Sequence, residues 1–353
     1  MDRDELLRRA QDADLVSGER LCQLDLRGAD LAALRFDHCL LERLDLRGAD
    51  LTDCQFLNCQ LRQCRLDGAQ LATTVFNRSD LNSVSFTEAR IENANWHACH
   101  LQGVIFDRVQ LRFAAFSHGQ LEDARFREAR LEQLVMANLT CGTLDFSGAH
   151  LERAVLLECD LRQTDFAGAH FEIVVLNKSN LAGQRFIGQS FSFTQFSEAD
   201  LTGCDFSQAR LRQANFTSAQ LRGARFAGAQ APQAIFLQAK LEEADFTDAD
   251  LTQAIWQGAQ APRTSWLRAR LYQGNFVAAD LSQADLRGAD LTYADLSHAN
   301  LEDANLGGAR LFRAKLHQVR DRGAQFTDRS QALGDDPEQL AAEQWRPQPE
   351  PPR

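Results

Sequence analysis

"ADLRGADLTYADLSHANL", residues 284–301, places leucines at 286, 291, 296 and 301, always five apart. A helix presents one face about every 3.6 residues and a strand every second residue. Five suits neither. On a helix, successive leucines would step roughly 140° around the axis and cover every side. On a continuous strand, an odd spacing would throw them to alternate faces. The spacing requires a chain that turns a corner between one leucine and the next.

The period extends far beyond this stretch, and a fixed internal period has to be read before any element is assigned. Every fifth residue from Leu21 to Phe326 gives 62 positions, and only Cys141, Ala231, Ala261 and Asp321 are not Leu, Ile, Phe, Met or Trp. Two residues before each centre sits a small residue, most often alanine, as at Ala29, Ala49, Ala89, Ala289, Ala294 and Ala299. On a short extended segment these two positions point to one side, and the residue between them points outward. The last two residues of each unit are often Gly, Ser, Thr or charged, which suits a turn. Three extended residues and a two-residue corner make one side of a coil.

Units such as "ADLTG" (199–203), "ADFTD" (244–248), "ANFTS" (214–218), "ADLTY" (289–293) and "ANLED" (299–303) carry the resemblance. The chain resembles the pentapeptide repeat family, whose unit reads A-[DN]-[LF]-x-x, over about 310 of its 353 residues. The resemblance implies an all-β fold, a right-handed quadrilateral β-helix with four sides to each 20-residue coil. The residues support four sides independently. Centres whose numbers end in 6 are aromatic in 21 of 31 cases, whereas those ending in 1 are aromatic only at Phe171 and Phe191. This Phe/Leu alternation repeats every ten residues. Four sides give homogeneous columns, with offset ring stacking in two of them; three sides would set Phe over Leu everywhere. Stacked at strand spacing, about 15 coils predict a solenoid roughly 75 Å long.

Three segments are expected: a capping helix in 1–19, the solenoid over 20–328, and a short helix with a proline-rich tail in 329–353. Open solenoid ends invite edge pairing, and "DRDELLRRAQDA" (2–13) predicts a helix with Leu6, Leu7 and Ala10 on the capping side. Asp321 at a centre signals that the core is closing. "DDPEQLAAEQW" (335–345) predicts a second helix with Asp336 as N-cap, Pro337 first and Gln339 completing a capping box. Its apolar side, Leu340 and Trp345, would cap the last coil or pair two subunits as a homodimer. The tail "RPQPEPPR" reads as disordered. Ala231-Pro232 and Ala261-Pro262 predict a locally narrowed core with rigid corners, or else a notch read by a partner. Gln184 and Gln189, inward in succession, would need hydrogen-bond partners.

No run of 18 apolar residues exists, so no membrane-spanning helix is expected, and the charged N-terminus lacks an apolar signal region. The expectation is a cytoplasmic protein. Nine cysteines occur in no zinc-like spacing. Cys39, Cys54, Cys59, Cys64, Cys99, Cys159 and Cys204 all fall two before a centre and read as buried fillers. His150 and His170 sit outward on adjacent coils beside Glu152 and Glu172, and read as a solvated patch rather than a metal site. No nucleophile, base and orienting group can be singled out, and a filled convex solenoid lacks a deep pocket. The reading is therefore a non-catalytic protein without cofactor or metal.

Resistance proteins of the same family imitate DNA and bind DNA gyrase, so gyrase modulation is an alternative function. The charge tests it. The net charge is −11, of which the solenoid carries −6, against roughly 44 charges on B-DNA of equal length. The solenoid also lacks the loop insertions of the gyrase-protecting members. No basic stripe supports direct nucleic-acid binding. Other members of the family are secreted effectors or adaptors beside secretion machinery, a further alternative. The leading expectation is a scaffold or adaptor binding a protein partner along the flat sides.

Sorting outward positions by side locates that surface. The side from Phe36 to Leu316 carries four bases and four acids, the opposite side 10 and 13. The weakly charged side also presents Val135, Val155, Leu157, Val175, Ile235, Leu237 and Ile255. Strand propensity alone accounts for Val and Ile on a sheet; a contact face for a partner or a second copy accounts for them equally. A lesser stripe, Phe113, Ile173, Phe193, Tyr272, Tyr293 and Phe312, lies on an adjacent side.

Overall fold

The computed structural model describes residues 1–12 and 14–345. The chain is a parallel β-solenoid with a short helix at each end. Two compact units are distinguished, Met1–Gln184 with Ser190–Asp200, and Arg185–Gln189 with the residues from Leu201 onward.

In the first unit, the strand residues pair in parallel with residues 20 positions on. Val16 opposes Phe36, Phe36 opposes Phe56, and Trp96 opposes Phe116. Sheets starting at Leu15–Ser17, Arg20–Cys22, Arg90–Glu92 and Ala124–Arg125 form the four sides. The ladder already begins at Leu15–Ser17, before residue 20, because Val16 stands five residues ahead of Leu21 and fills a centre. The second unit keeps the 20-residue register mostly with single bridges, such as Arg225↔Asp245, Gln230↔Asp250, Ile235↔Ile255 and Lys240↔Gln260, until the last coil, where Lys315 pairs with Leu333, 18 residues on. Its corners close with turns in which the N–H of the small inward residue donates back to the previous centre, as from Ala229 to the Phe226 carbonyl at 2.9 Å.

The centres and the residues two before them make the core. Phe206 is fully buried, with ring centroids 5.3 Å from Phe186 and 5.1 Å from Phe226. Phe36, Phe56 and Phe76 stack at 4.9 and 4.8 Å. Neighbouring columns meet edge to face, as at Phe226 and Phe236. Ala231 and Ala261 do not interrupt the ladder: both are buried, and their N–H groups donate to Asp250 and Asp280. Ala261 lies between the centres Trp256 and Trp266, whose rings are 4.7 Å apart. A small centre between two indoles leaves them room. The Gln184 amide donates to the carbonyls of Leu161 and Thr164 at 2.9 and 2.8 Å, which satisfies a polar group in a core position.

Helix α1 spans Arg3–Gln11, with Asp2 as N-cap accepting from the Glu5 N–H. Leu6 is buried, whereas Leu7 and Ala10 are half-buried. Helix α2 spans Pro337–Gln344, and the Asp336 carboxylate accepts from the N–H groups of Glu338 and Gln339. The expected capping box does not form. The Gln339 amide donates instead to Glu343, and the Asp336 N–H donates to Nδ1 of His317. Leu340 is half-buried and Trp345 is 71% exposed. The proline-rich tail lies outside the described residues.

Candidate protein-binding faces

Strand pairing places Val135 beside Val155 and Val155 beside Val175, one vertical ladder of outward side chains. Their inward neighbours Met136, Leu156 and Leu176 are buried, which fixes the direction of the valines. Val135 is exposed, and Val155, Leu157 and Val175 are half-buried. The ladder is bordered by Asn177 and by the Lys178–Glu158 pair at 3.8 Å. In the second unit Ile235 pairs with Ile255, and both are half-buried, as is Leu237.

The second stripe is the more exposed. Phe113, Ile173, Phe193, Tyr293 and Phe312 show 39–45% of their surface, whereas Tyr272 is half-buried. Tyr272, Tyr293 and Phe312 meet edge to face at 5.9 and 5.7 Å. Four of these residues occupy the last corner position of a unit, where the backbone is left-handed: φ is +54° at Phe113, +53° at Ile173, +64° at Phe193 and +59° at Tyr293. Glycine takes this position without strain, as at Gly183 and Gly188. A β-branched isoleucine there is a costly choice. Strand propensity does not account for it.

The two stripes meet. Ile173 and Val175 flank the buried Val174, so they stand on either side of one corner. Beside Ile173 and Phe193 runs a shallow groove that His150, Glu152, His170 and Glu172 also line. The two histidine rings stack at 4.5 Å.

The strongly charged side has a different chemistry. Asp25, Asp45 and Asp285 each grip the arginine two residues on, at 2.6, 2.5 and 2.7 Å. The Arg27 hydrogen bond draws the Asp25 carboxyl down to about 2. The arginines likewise hold Asp45 and Asp285 below the ordinary carboxylate range. Acids neutralised within their own coil make a poor copy of a phosphate backbone.

Buried thiols behave as packing groups. Burial pushes Cys54 up to about 12 and Cys64 and Cys99 to about 11, and their sulfurs donate to core carbonyls. Among the described residues, no helix is long and apolar enough to cross a membrane.

One polar site was not legible from the repeat. His317 holds an outward position, yet it is only 2% exposed. Its ring is contacted by Asp335, Asp336 and Glu343 of the C-terminal segment. Among the described residues, His298, His317 and Glu343 are the group of three whose donor atoms converge, all within 4.8 Å.

A family model described as pentapeptide repeats matches the chain in eight copies, which together span residues 29–133, 145–258 and 279–318. No curated protein matches the chain in sequence. Similar solved structures include HetL, a pentapeptide repeat protein involved in heterocyst differentiation regulation from the cyanobacterium Nostoc sp. strain PCC 7120. It is 22% identical over 93% of this chain and 98% of its own, with a TM-score of 0.18. Full-length QnrB1, a plasmid-mediated fluoroquinolone resistance protein, is 18% identical over 62% of this chain and 93% of its own, with a TM-score of 0.28. A pentapeptide repeat protein from the thylakoid lumen of Arabidopsis thaliana is 31% identical over 44% of this chain and 75% of its own, with a TM-score of 0.15.

Proposed function

The chain belongs to the pentapeptide repeat family, and from that premise we propose that it is a non-catalytic scaffold that docks a protein partner on the apolar corner formed by Val155, Val175, Ile173 and Phe193. The observation that carries this reading is the presence of exposed Ile173 and Phe193 at left-handed corner positions. This corner is left-handed in unit after unit and is filled mostly by glycine and polar residues, so what sets Ile173 and Phe193 apart is an exposed apolar side chain there and, for Ile173, its branching. An exposed apolar centre bordered by polar groups such as Asn177 and Lys178 has the anatomy of a contact surface. Val135 and Leu157 extend the patch along the flat side. Ile235, Leu237 and Ile255 form a separate apolar area, as do Tyr272, Tyr293 and Phe312. Gyrase modulation is disfavoured by the self-neutralised acids of the charged side.

The test is Val155→Asp. The position points outward, so the substitution leaves the core intact while placing an unpaired charge in any interface, a cost of several kcal/mol of binding. Thermal melting is compared with oligomeric mass and with recovery of partners from the native host. The expected result is a melting temperature close to wild type with loss of one associated protein or of self-association. Unchanged mass together with unchanged recovery would exclude this patch as the docking surface.

A further inference from the structure

We propose that His298, His317 and Glu343 form a divalent-cation site, of the class that takes Zn2+, and that the ion fastens α2 to the last coils. Apolar burial does not hold this helix: none of its residues is buried and Trp345 beyond it is 71% exposed. Its attachments are polar. Glu343 bridges Nε2 of His298 at 3.1 Å and Nε2 of His317 at 3.2 Å. The Asp336 N–H reaches Nδ1 of His317 at 3.1 Å, and the Gln318 N–H reaches Asp335 at 2.8 Å.

Three features set this group apart from a chance surface cluster. Glu343 lies in the last turn of α2, where the helix dipole disfavours a carboxylate and no basic residue compensates; a cation between it and the imidazoles removes that conflict. The separations at Glu343, 3.1 Å from Oε1 to His298 and 3.2 Å from Oε2 to His317, approach the ligand spacing of a tetrahedral ion with bonds of about 2.0–2.1 Å, roughly 3.3 Å, and the donor atoms of the set all lie within 4.8 Å. Finally, Nδ1 of His317 has two partners of opposite kind. The Asp336 N–H lies at 3.1 Å and the Asp335 carboxylate at 3.5 Å. Without an ion, Nδ1 accepts from Asp336 and the ring proton sits on Nε2, toward Glu343. An ion on Nε2 moves that proton to Nδ1, so the Asp336 N–H must give up this acceptor and turn aside, and the Asp335 carboxylate then takes the Nδ1–H, the carboxylate–histidine–metal arrangement that orients a ligating imidazole. Two imidazoles and one carboxylate suit Zn2+. His298 and Glu343 are solvent-exposed, so water completes the fourth position.

The experiment titrates the full chain with Zn2+ against a chromogenic chelator, with Co2+ as a spectroscopic probe. Wild type is compared with His298→Ala and Glu343→Gln, both at exposed positions where folding should persist and is checked by melting without metal. The expected result is one ion per chain, a cobalt spectrum without thiolate charge transfer, and affinity reduced at least 10- to 100-fold in each variant, the range seen on losing a metal-orienting partner. Zn2+ should also slow amide exchange across Pro337–Gln344 in wild type and not in the variants. Absence of stoichiometric binding at micromolar Zn2+, affinity unchanged in both variants, or a thiolate–cobalt band marking the cysteines as ligands would each overturn the assignment.

Discussion

Two sets of apolar side chains repeat at the same one-coil interval, and they differ in what holds them. The Phe186–Phe206–Phe226 column points inward, is fully buried and gains ring stacking at about 5 Å. The Val135–Val155–Val175 ladder points outward, and Ile173 and Phe193 at its corner are 45% exposed on left-handed backbone. In the column, every contact stabilises the fold. At the corner, conformation and exposure both work against it. A repeat protein with uniform packing thus separates residues kept for stability from residues that stability does not explain.

The largest effect should fall on the column. Phe206→Ala removes a buried ring between two others and should cost about 3–5 kcal/mol in denaturant unfolding. A loss below about 1 kcal/mol would mean that inward and outward sets are not distinguished as described. Val155→Asp, by contrast, should leave melting near wild type; a collapse there would place Val155 inward and break the comparison from the other side.

Acid provides a smaller effect on the charged side. Asp25, Asp45 and Asp285 have folded carboxyl pKa values below the unfolded one, chiefly through their arginine hydrogen bonds. Their contribution is complete above the unfolded value, about 4, and is lost as pH falls through the folded values, about 2 at Asp25. The Asp25–Arg27 pair is exposed and the other two are only partly covered, so each matters little and salt should weaken them further. Arg47→Gln should flatten the decline of melting temperature between pH 5 and 2 slightly; an unchanged profile would show that this pair contributes nothing.

Much of this architecture is legible in the sequence because one side chain per five residues reports each side of the coil. The alternation of Phe36, Phe56 and Phe76 with leucine columns supports four sides, and the ladder register follows from it. What escaped is what the repeat does not encode. Val16 lacks the bulk of the later centres, yet it begins the ladder. Gln339 matches a capping box by spacing, but Glu343 lies within reach of its amide. His317 is outward by register and buried by a segment whose path no periodicity specifies. The candidate surface was legible from the register down to its residues, but not how far each of them is exposed. Place in the unit tells a strand position from a corner, and recurrent glycine marks the corner, but that the corner is left-handed under Ile173 and Phe193 too is seen only in the backbone angles.

Ile173→Gly tests that distinction most directly. Glycine relieves the left-handed backbone at φ +53° and removes an exposed apolar side chain. Melting of the variant, set beside its association with partner or second copy, reads both properties in one protein. Equal or greater thermal stability, by up to about 1 kcal/mol, is expected together with weakened association. A clear loss of stability with association intact would contradict it, because Ile173 would then serve the fold rather than a partner.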